Sequence, residues 1–149
     1  MKKSDSILAK YRWWVMNLAL VGVLLALYLY YEYLTKNLYG VCNVNAVLNC
    51  GPITTGSLSE LYGIPVALIG LVGYIVIFLS AFFKKFKLAF YMATFGMLFC
   101  LRITFLEIFV EQVICLVCLG CQVVMIIEFV LTYMLAFPDK VGLLEKKFK

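Results

Sequence analysis

A four-helix integral membrane bundle with a short cap loop or half-helix between its first two helices is the fold class this sequence predicts. Three observations carry that prediction. Hydrophobic residues make up 65% of the 149 residues and charged residues 14%, with a mean hydropathy of +1.02, whereas an ordinary soluble domain is about 45–50% apolar. Four apolar runs each come close to the length of about 20 residues that a helix needs to cross the hydrocarbon core. Eleven of the thirteen basic residues cluster at the chain's two ends and in one short connection. These features exclude a soluble globular domain, a disordered chain and a nucleic-acid-binding protein. Four spans leave no room for a soluble catalytic domain, so any chemistry sits in the bundle or in a loop. The absence of histidine excludes a His-ligated metal and a His general base, and no metal site is expected.

The spans are read in order. The first covers residues 13–31 and is interrupted only by Asn17. Its apolar core is too long for a cleavable signal peptide, and no small-residue cleavage site follows it. An outer loop of about residues 34–63 comes next. The second span, 64–83, carries Pro65 where a helix's first turn tolerates a missing N–H. The third, 88–106, contains Arg102, and the fourth, 113–137, contains Gln122 and Glu128 before Pro138 stops it. Runs this long and this uniformly apolar are helices rather than the short alternating strands of a barrel. Ser57-Leu58-Ser59-Glu60 has the pattern of an N-cap for a short helix on the outer face. The whole chain, 1–149, reads as one membrane domain with a charged tail at about 139–149.

Orientation follows from Lys and Arg. Lys2, Lys3, Lys10 and Arg12 precede span one, Lys84, Lys85 and Lys87 separate spans two and three, and Lys140, Lys146, Lys147 and Lys149 follow span four. The opposite side holds Lys36 with Glu32, Glu60, Glu107 and Glu111. Both termini are therefore expected in the cytoplasm of a multi-pass cell-membrane protein. The 34–63 loop and a short turn at about 109–112 are expected to face outward.

Six cysteines fall in an informative pattern. Cys42 and Cys50 share the outer loop. Cys115 and Cys118 open span four at its outward end, with Cys121 one turn deeper and Cys100 in span three. Disulfides persist in the outer compartment, and a loop that folds back brings two cysteines at the Cys42–Cys50 spacing within bonding reach. Cysteines at a C-x-x-C spacing lie one turn apart on a helix. A helix start favours thiolate through its free N–H groups and its macrodipole. One exposed pair and one pair at the membrane boundary suggest a relay that passes electron pairs by thiol–disulfide exchange to a lipid-soluble acceptor, for which a quinone is the natural candidate. The bland alternatives are a structural staple in the loop and chance packing in the helix. Cys115-x-x-Cys118-x-x-Cys121 lacks the fourth ligand and the following proline of an iron–sulfur spacing. Cys100 and Cys121 read as small apolar fillers.

The chain resembles the vitamin K epoxide reductase family, in its prokaryotic disulfide-forming branch. The resemblance spans about residues 13–137. It rests on Cys42-Asn43-Val44 through Asn49-Cys50, on Leu61-Tyr62-Gly63-Ile64-Pro65-Val66-Ala67-Leu68-Ile69-Gly70, and on Ile114-Cys115-Leu116-Val117-Cys118. The loop pair precedes the C-x-x-C pair, an order that separates this family from the unrelated quinone-linked oxidase of the same function. The resemblance implies a quinone-dependent thiol–disulfide oxidoreductase built as a four-helix bundle around a quinone (ubiquinone, menaquinone or vitamin K-like). It implies that Cys118 contacts the quinone, that Cys115 exchanges with Cys50, and that Cys42 exchanges with a separate thioredoxin-like thiol oxidase outside the membrane. Where the vertebrate enzymes carry an Asn and a Tyr for the vitamin K head group, this chain has Ser59 and Gln122. Thr55, Ser57, Ser59, Gln122 and Arg102 are the candidate quinone contacts beside Cys118.

An ionisable residue inside a span is by default a functional hypothesis. Arg102 either snorkels outward or stabilises charge at the quinone. Glu128 either accepts protons or bonds a neighbouring helix as a neutral carboxyl. Three other functions compete with the relay: reduction of vitamin K quinone or its epoxide, a non-enzymatic tetraspan scaffold with a stapled loop, and a small transporter.

Overall fold

The structure, a computed structural model, describes residues 2–35, 50, 56 and 58–138, with side chains described from residue 8 onward. Cys42, Thr55, Ser57 and the tail beyond residue 138 lie outside the described residues.

Four α-helices carry the described chain. Helix α1 runs Lys2–Thr35. A two-stranded antiparallel hairpin follows, β1 at Glu60–Leu61 and β2 at Ile64–Pro65. Helix α2 runs Val66–Phe82 and α3 runs Phe86–Leu106. A π-helical turn, Glu107–Glu111, extends α3, and α4 runs Leu116–Ala136. Helix α1 packs on α2 and α4, and α3 packs on the same two helices, which closes a four-membered ring. By length and composition, three helices among the described residues suit a membrane crossing, Leu8–Thr35, Phe86–Glu111 and Leu116–Ala136, while the fourth apolar helix, Val66–Phe82, is shorter. The protein is an all-α integral membrane protein.

Each helix buries one stripe. On α1 it is Val15, Ala19, Gly22, Ala26, Leu29 and Glu32; on α2 it is Ala67, Leu71, Tyr74, Ile77 and Ala81. Steps of three and four residues keep such a stripe on one face. Small residues let the helix backbones approach closely, as in membrane bundles generally. The opposite faces carry large apolar side chains, with Leu24 59%, Leu98 64% and Phe105 58% exposed. Such faces suit lipid as solvent. Polar side chains within the helices bond their own backbone: Asn17 Nδ2 donates to Trp13 O at 2.7 Å and Thr94 Oγ1 to Phe90 O at 2.8 Å.

Leu58, Ser59 and Glu60 do not form the short helix that the Ser57–Glu60 sequence pattern predicts. Leu58 and Ser59 form a turn and Glu60 enters β1. Two local preferences explain the difference. Tyr62 and Gly63 take positive φ of 54° and 82°, the conformation that closes a two-residue hairpin. Ser59 Oγ donates to Gly56 O at 2.7 Å, and Ser59 O accepts the Val66 amide at 3.0 Å. Pro65 accordingly stands just before α2, as its N-cap.

The α2–α3 connection is three residues long. Lys84 takes φ 58°, and the Lys85 amide bonds Ser80 O at 2.8 Å. A left-handed residue that returns an amide to the last turn is a common helix stop. This tight corner makes α2 and α3 antiparallel neighbours.

Candidate redox site at one end of the bundle

Two non-helical joints and one helix start build the site. The first joint is the hairpin, which delivers the chain to α2. The second follows α3, where the helix widens into its π turn and Gln112 turns left-handed at φ 53°. The amides of Gln112 and Val113 both bond Glu107 O, the latter at 3.1 Å. The chain therefore reverses within a few residues and enters α4.

Cys115 is the N-cap of α4, and its Sγ accepts the Cys118 amide at 3.3 Å. A serine or aspartate oxygen usually fills this position and satisfies one of the orphan N–H groups. Here a sulfur does so, and it sits where the helix start stabilises negative charge.

Cys50 and Cys115 are both fully buried, in one cluster with Leu29 of α1, Val66 and Ala67 of α2 and Ile103 of α3. Their sulfurs lie 2.6 Å apart. This separation exceeds a bonded pair, at about 2.05 Å, and is still direct contact. Cys50 is itself in a disulfide, and Cys118 carries a free thiol. A buried disulfide sulfur thus touches the first cysteine of C-x-x-C. The contact is the one that exchange requires, because exchange passes through a mixed disulfide between the two pairs.

Cys118 faces the other way, into a cavity inside the helix ring. All four helices line it: Ala26 and Leu29 of α1, Ala67 and Tyr74 of α2, Phe99 and Thr104 of α3, and Cys118 and Cys121 of α4. Cys100 also lines it, so the two cysteines read as fillers border the same space as Cys118. Tyr74 donates its hydroxyl to Cys121 O at 2.9 Å, which fixes one wall. The walls are apolar apart from sulfurs and two hydroxyls, a chemistry that fits a flat, lipid-soluble ring with Cys118 at its edge.

The remaining candidate contacts lie elsewhere. Ser59 is buried in its turn and bonded to Gly56, Gln122 is buried with its Nε2 3.6 Å from Met97 Sδ, and Arg102 is exposed. None of the three lines the cavity. Thr55, Ser57 and Cys42 lie outside the described residues.

One residue at this site reads, in the sequence, as a boundary charge. Glu107 is 1% exposed, and a carboxylate oxygen, Cys115 Sγ and Cys118 Sγ all lie within 4.8 Å of one another. The signal that marks it is spacing. Residue 107 continues the stripe of α3 that runs through 89, 93, 96, 100 and 103, of which Ala89, Ala93 and Ile103 are buried. A search of curated proteins finds no match. The family profile described as Vitamin K epoxide reductase family matches residues 13–133, a stretch that holds the hairpin, all the cysteines and the cavity. The chain therefore belongs to the vitamin K epoxide reductase family and is a membrane oxidoreductase.

Proposed function

We propose that this protein is a quinone-dependent thiol–disulfide oxidoreductase of the family's prokaryotic branch. In this reading it crosses the membrane four times with both termini in the cytoplasm, and it makes disulfides for a separate thioredoxin-like protein on the outer side. The fourth crossing is α2, whose 17 residues are at the lower limit of about 17–25 for a spanning helix. The observation that carries the reading is double-sided. Cys115 touches Cys50 on one side, while Cys118, bonded to Cys115 through its amide, lines an apolar cavity on the other.

The chain's residues then act in sequence. A thiolate of the soluble partner attacks Cys42 of a Cys42–Cys50 disulfide, and the electron pair of the broken bond leaves on Cys50. The Cys50 sulfur is already against Cys115 and attacks it, breaking a Cys115–Cys118 disulfide and releasing Cys118. The buried cluster around Cys50 and Cys115 excludes water during this exchange, and the helix start holds charge at the sulfur. A quinone in the cavity supplies the two-electron acceptor; that redox chemistry belongs to the cofactor. Phe99 and Ile103 supply apolar wall, and Cys118 supplies the reactive edge.

Purified protein with a thiol donor and a short-chain quinone tests the proposal. Cys118→Ala should abolish quinol production and accumulate a Cys50–Cys115 disulfide, seen by mass spectrometry after acid trapping. Normal turnover by that variant would refute the relay and favour a stapled scaffold.

A further inference from the structure

The π turn that ends α3 places a carboxyl inside the bundle. Such turns are rare and recur at functional sites. Glu107 is buried to 1% exposure, and its carboxyl interacts with the Cys118 thiol and the Cys115 backbone. Its Oε1 has no hydrogen-bond partner among the described residues. An orphaned oxygen in a buried carboxyl is costly, and natural membrane proteins keep such groups for function.

The surroundings limit what the carboxyl can do. The titratable groups that act on it are Cys118, with Cys115, Cys100 and Cys121 nearby. All are sulfurs. Arg102, five residues away on α3, is on the exposed face. Among the described residues no cation therefore offsets two negative charges at Glu107 and Cys118, and the pair holds a proton between them. We propose that Glu107 is the acid–base partner of Cys118, donating a proton to its sulfur when that sulfur is released and accepting it when the sulfur next attacks.

The inference rests on the relay proposed above and adds its proton path. When the Cys50 sulfur attacks, the Cys50–Cys115 bond forms and the Cys115–Cys118 bond breaks. The electron pair of the broken bond stays on the Cys118 sulfur. The Glu107 carboxylic acid passes its proton to that sulfur and becomes a carboxylate, so charge leaves the sulfur without a buried ion pair of like sign. In the reverse step the carboxylate removes the proton from the Cys118 thiol.

Alkylation of Cys118 tests this without any quinone. Reduced full-length protein in detergent is treated with iodoacetamide from about pH 6 to about pH 9, and modification of Cys118 is resolved from Cys115 by fragment mass spectrometry. A thiol with its own base reacts with a shallow pH dependence. Glu107→Gln keeps the shape and the hydrogen bonding but cannot take a proton. It should slow the reaction at least about tenfold at about pH 6.5, within the range for general acid–base catalysis, and make the rate rise steeply with pH. Glu107→Asp should keep the shallow profile at a reduced rate. An equal or faster rate in Glu107→Gln overturns the proposal. If that variant fails to fold, an unchanged rate in Glu107→Asp overturns it. The two ideas fail separately. Wild-type alkylation by Glu107→Gln, with Cys118→Ala inactive in turnover, removes the proton role and leaves the relay. An active Cys118→Ala removes the relay whatever Glu107 does.

Discussion

Val15, Ala19, Ile77, Ala93 and Met125 meet helix against helix in the body of the bundle, whereas at the other end Cys50 meets Cys115 on a helix cap and Glu107 reaches that cysteine from a π turn. The first region is apolar side chains in regular stripes. The second hangs its reactive groups on the places where the helices stop. Regular packing fixes where the helices sit. Irregular joints then aim individual side chains at one another, which a continuous helix facing lipid could not do without orphaning its backbone.

Cys50→Ala should break the comparison most severely. Turnover with a thiol donor should fall to background, while the thermal unfolding midpoint should fall only by what the lost disulfide at Cys50 contributes, about 2–4 kcal/mol. A large loss of stability with partial activity would mean that the cysteine end is held by Cys50 rather than served by it. Gly22→Ala attacks the other region. A Cβ there would lie 2.3 Å from two ring carbons of Tyr74, and Tyr74 cannot swing freely because its hydroxyl bonds Cys121 O. Overpacking of this kind costs about 1–3 kcal/mol, read as a lower unfolding midpoint in detergent. Trapping of the Cys50–Cys115 disulfide in a Cys118→Ala background should persist.

Glu128 sharpens the contrast between two buried carboxyls. It is fully buried on α4, with neither carboxyl oxygen hydrogen-bonded among the described residues. Unlike Glu107, it is outside the cysteine cluster. Glu128→Leu should raise stability by about 1–2 kcal/mol, since an unsatisfied buried polar group costs about that much, and should leave Cys118 alkylation unchanged. The higher melting point is the measurement that checks it.

Much of the body of the bundle is legible in the sequence, because apolar length is a property of single segments. The runs at 13–31, 64–83, 88–106 and 113–137 correspond to the four helices, although α1 extends to Thr35 and α2 begins only at Val66. The C-x-x-C at the head of α4 is legible for the same reason, since its spacing and its helix start are local. The joints are less so. Ser57–Glu60 carries a cap pattern, yet the positive φ at Tyr62 and Gly63 and the bond from the Val66 amide to Ser59 O commit the chain to a hairpin. Glu107 looks like an interfacial charge because a linear reading counts distance from the span's end. Its burial comes from the face it occupies, against Cys115 and Cys118 at the start of α4. The hydroxyls of Thr104 and Tyr74 reach the cavity because of the helix faces they occupy, which hydrogen-bonding capacity alone does not mark.

The smallest expected effect concerns the joint itself. Gln112 holds φ 53°, a region where a side chain meets the following carbonyl at a cost of about 1 kcal/mol. Gln112→Gly removes that strain but also loosens the unfolded chain, so the net gain should be under about 1 kcal/mol. If the joint only connects α3 to α4, nothing else follows. If it aims Glu107 at the two sulfurs, the easier turn should still leave the Gln112 and Val113 amides on Glu107 O, because glycine occupies the same left-handed conformation without resistance. Cys118 alkylation should then match the wild type while melting rises slightly. A changed alkylation profile with unchanged melting would show that the Gln112 side chain, rather than the backbone turn, tunes the site, and the division between packed body and jointed end would need redrawing at residue 112.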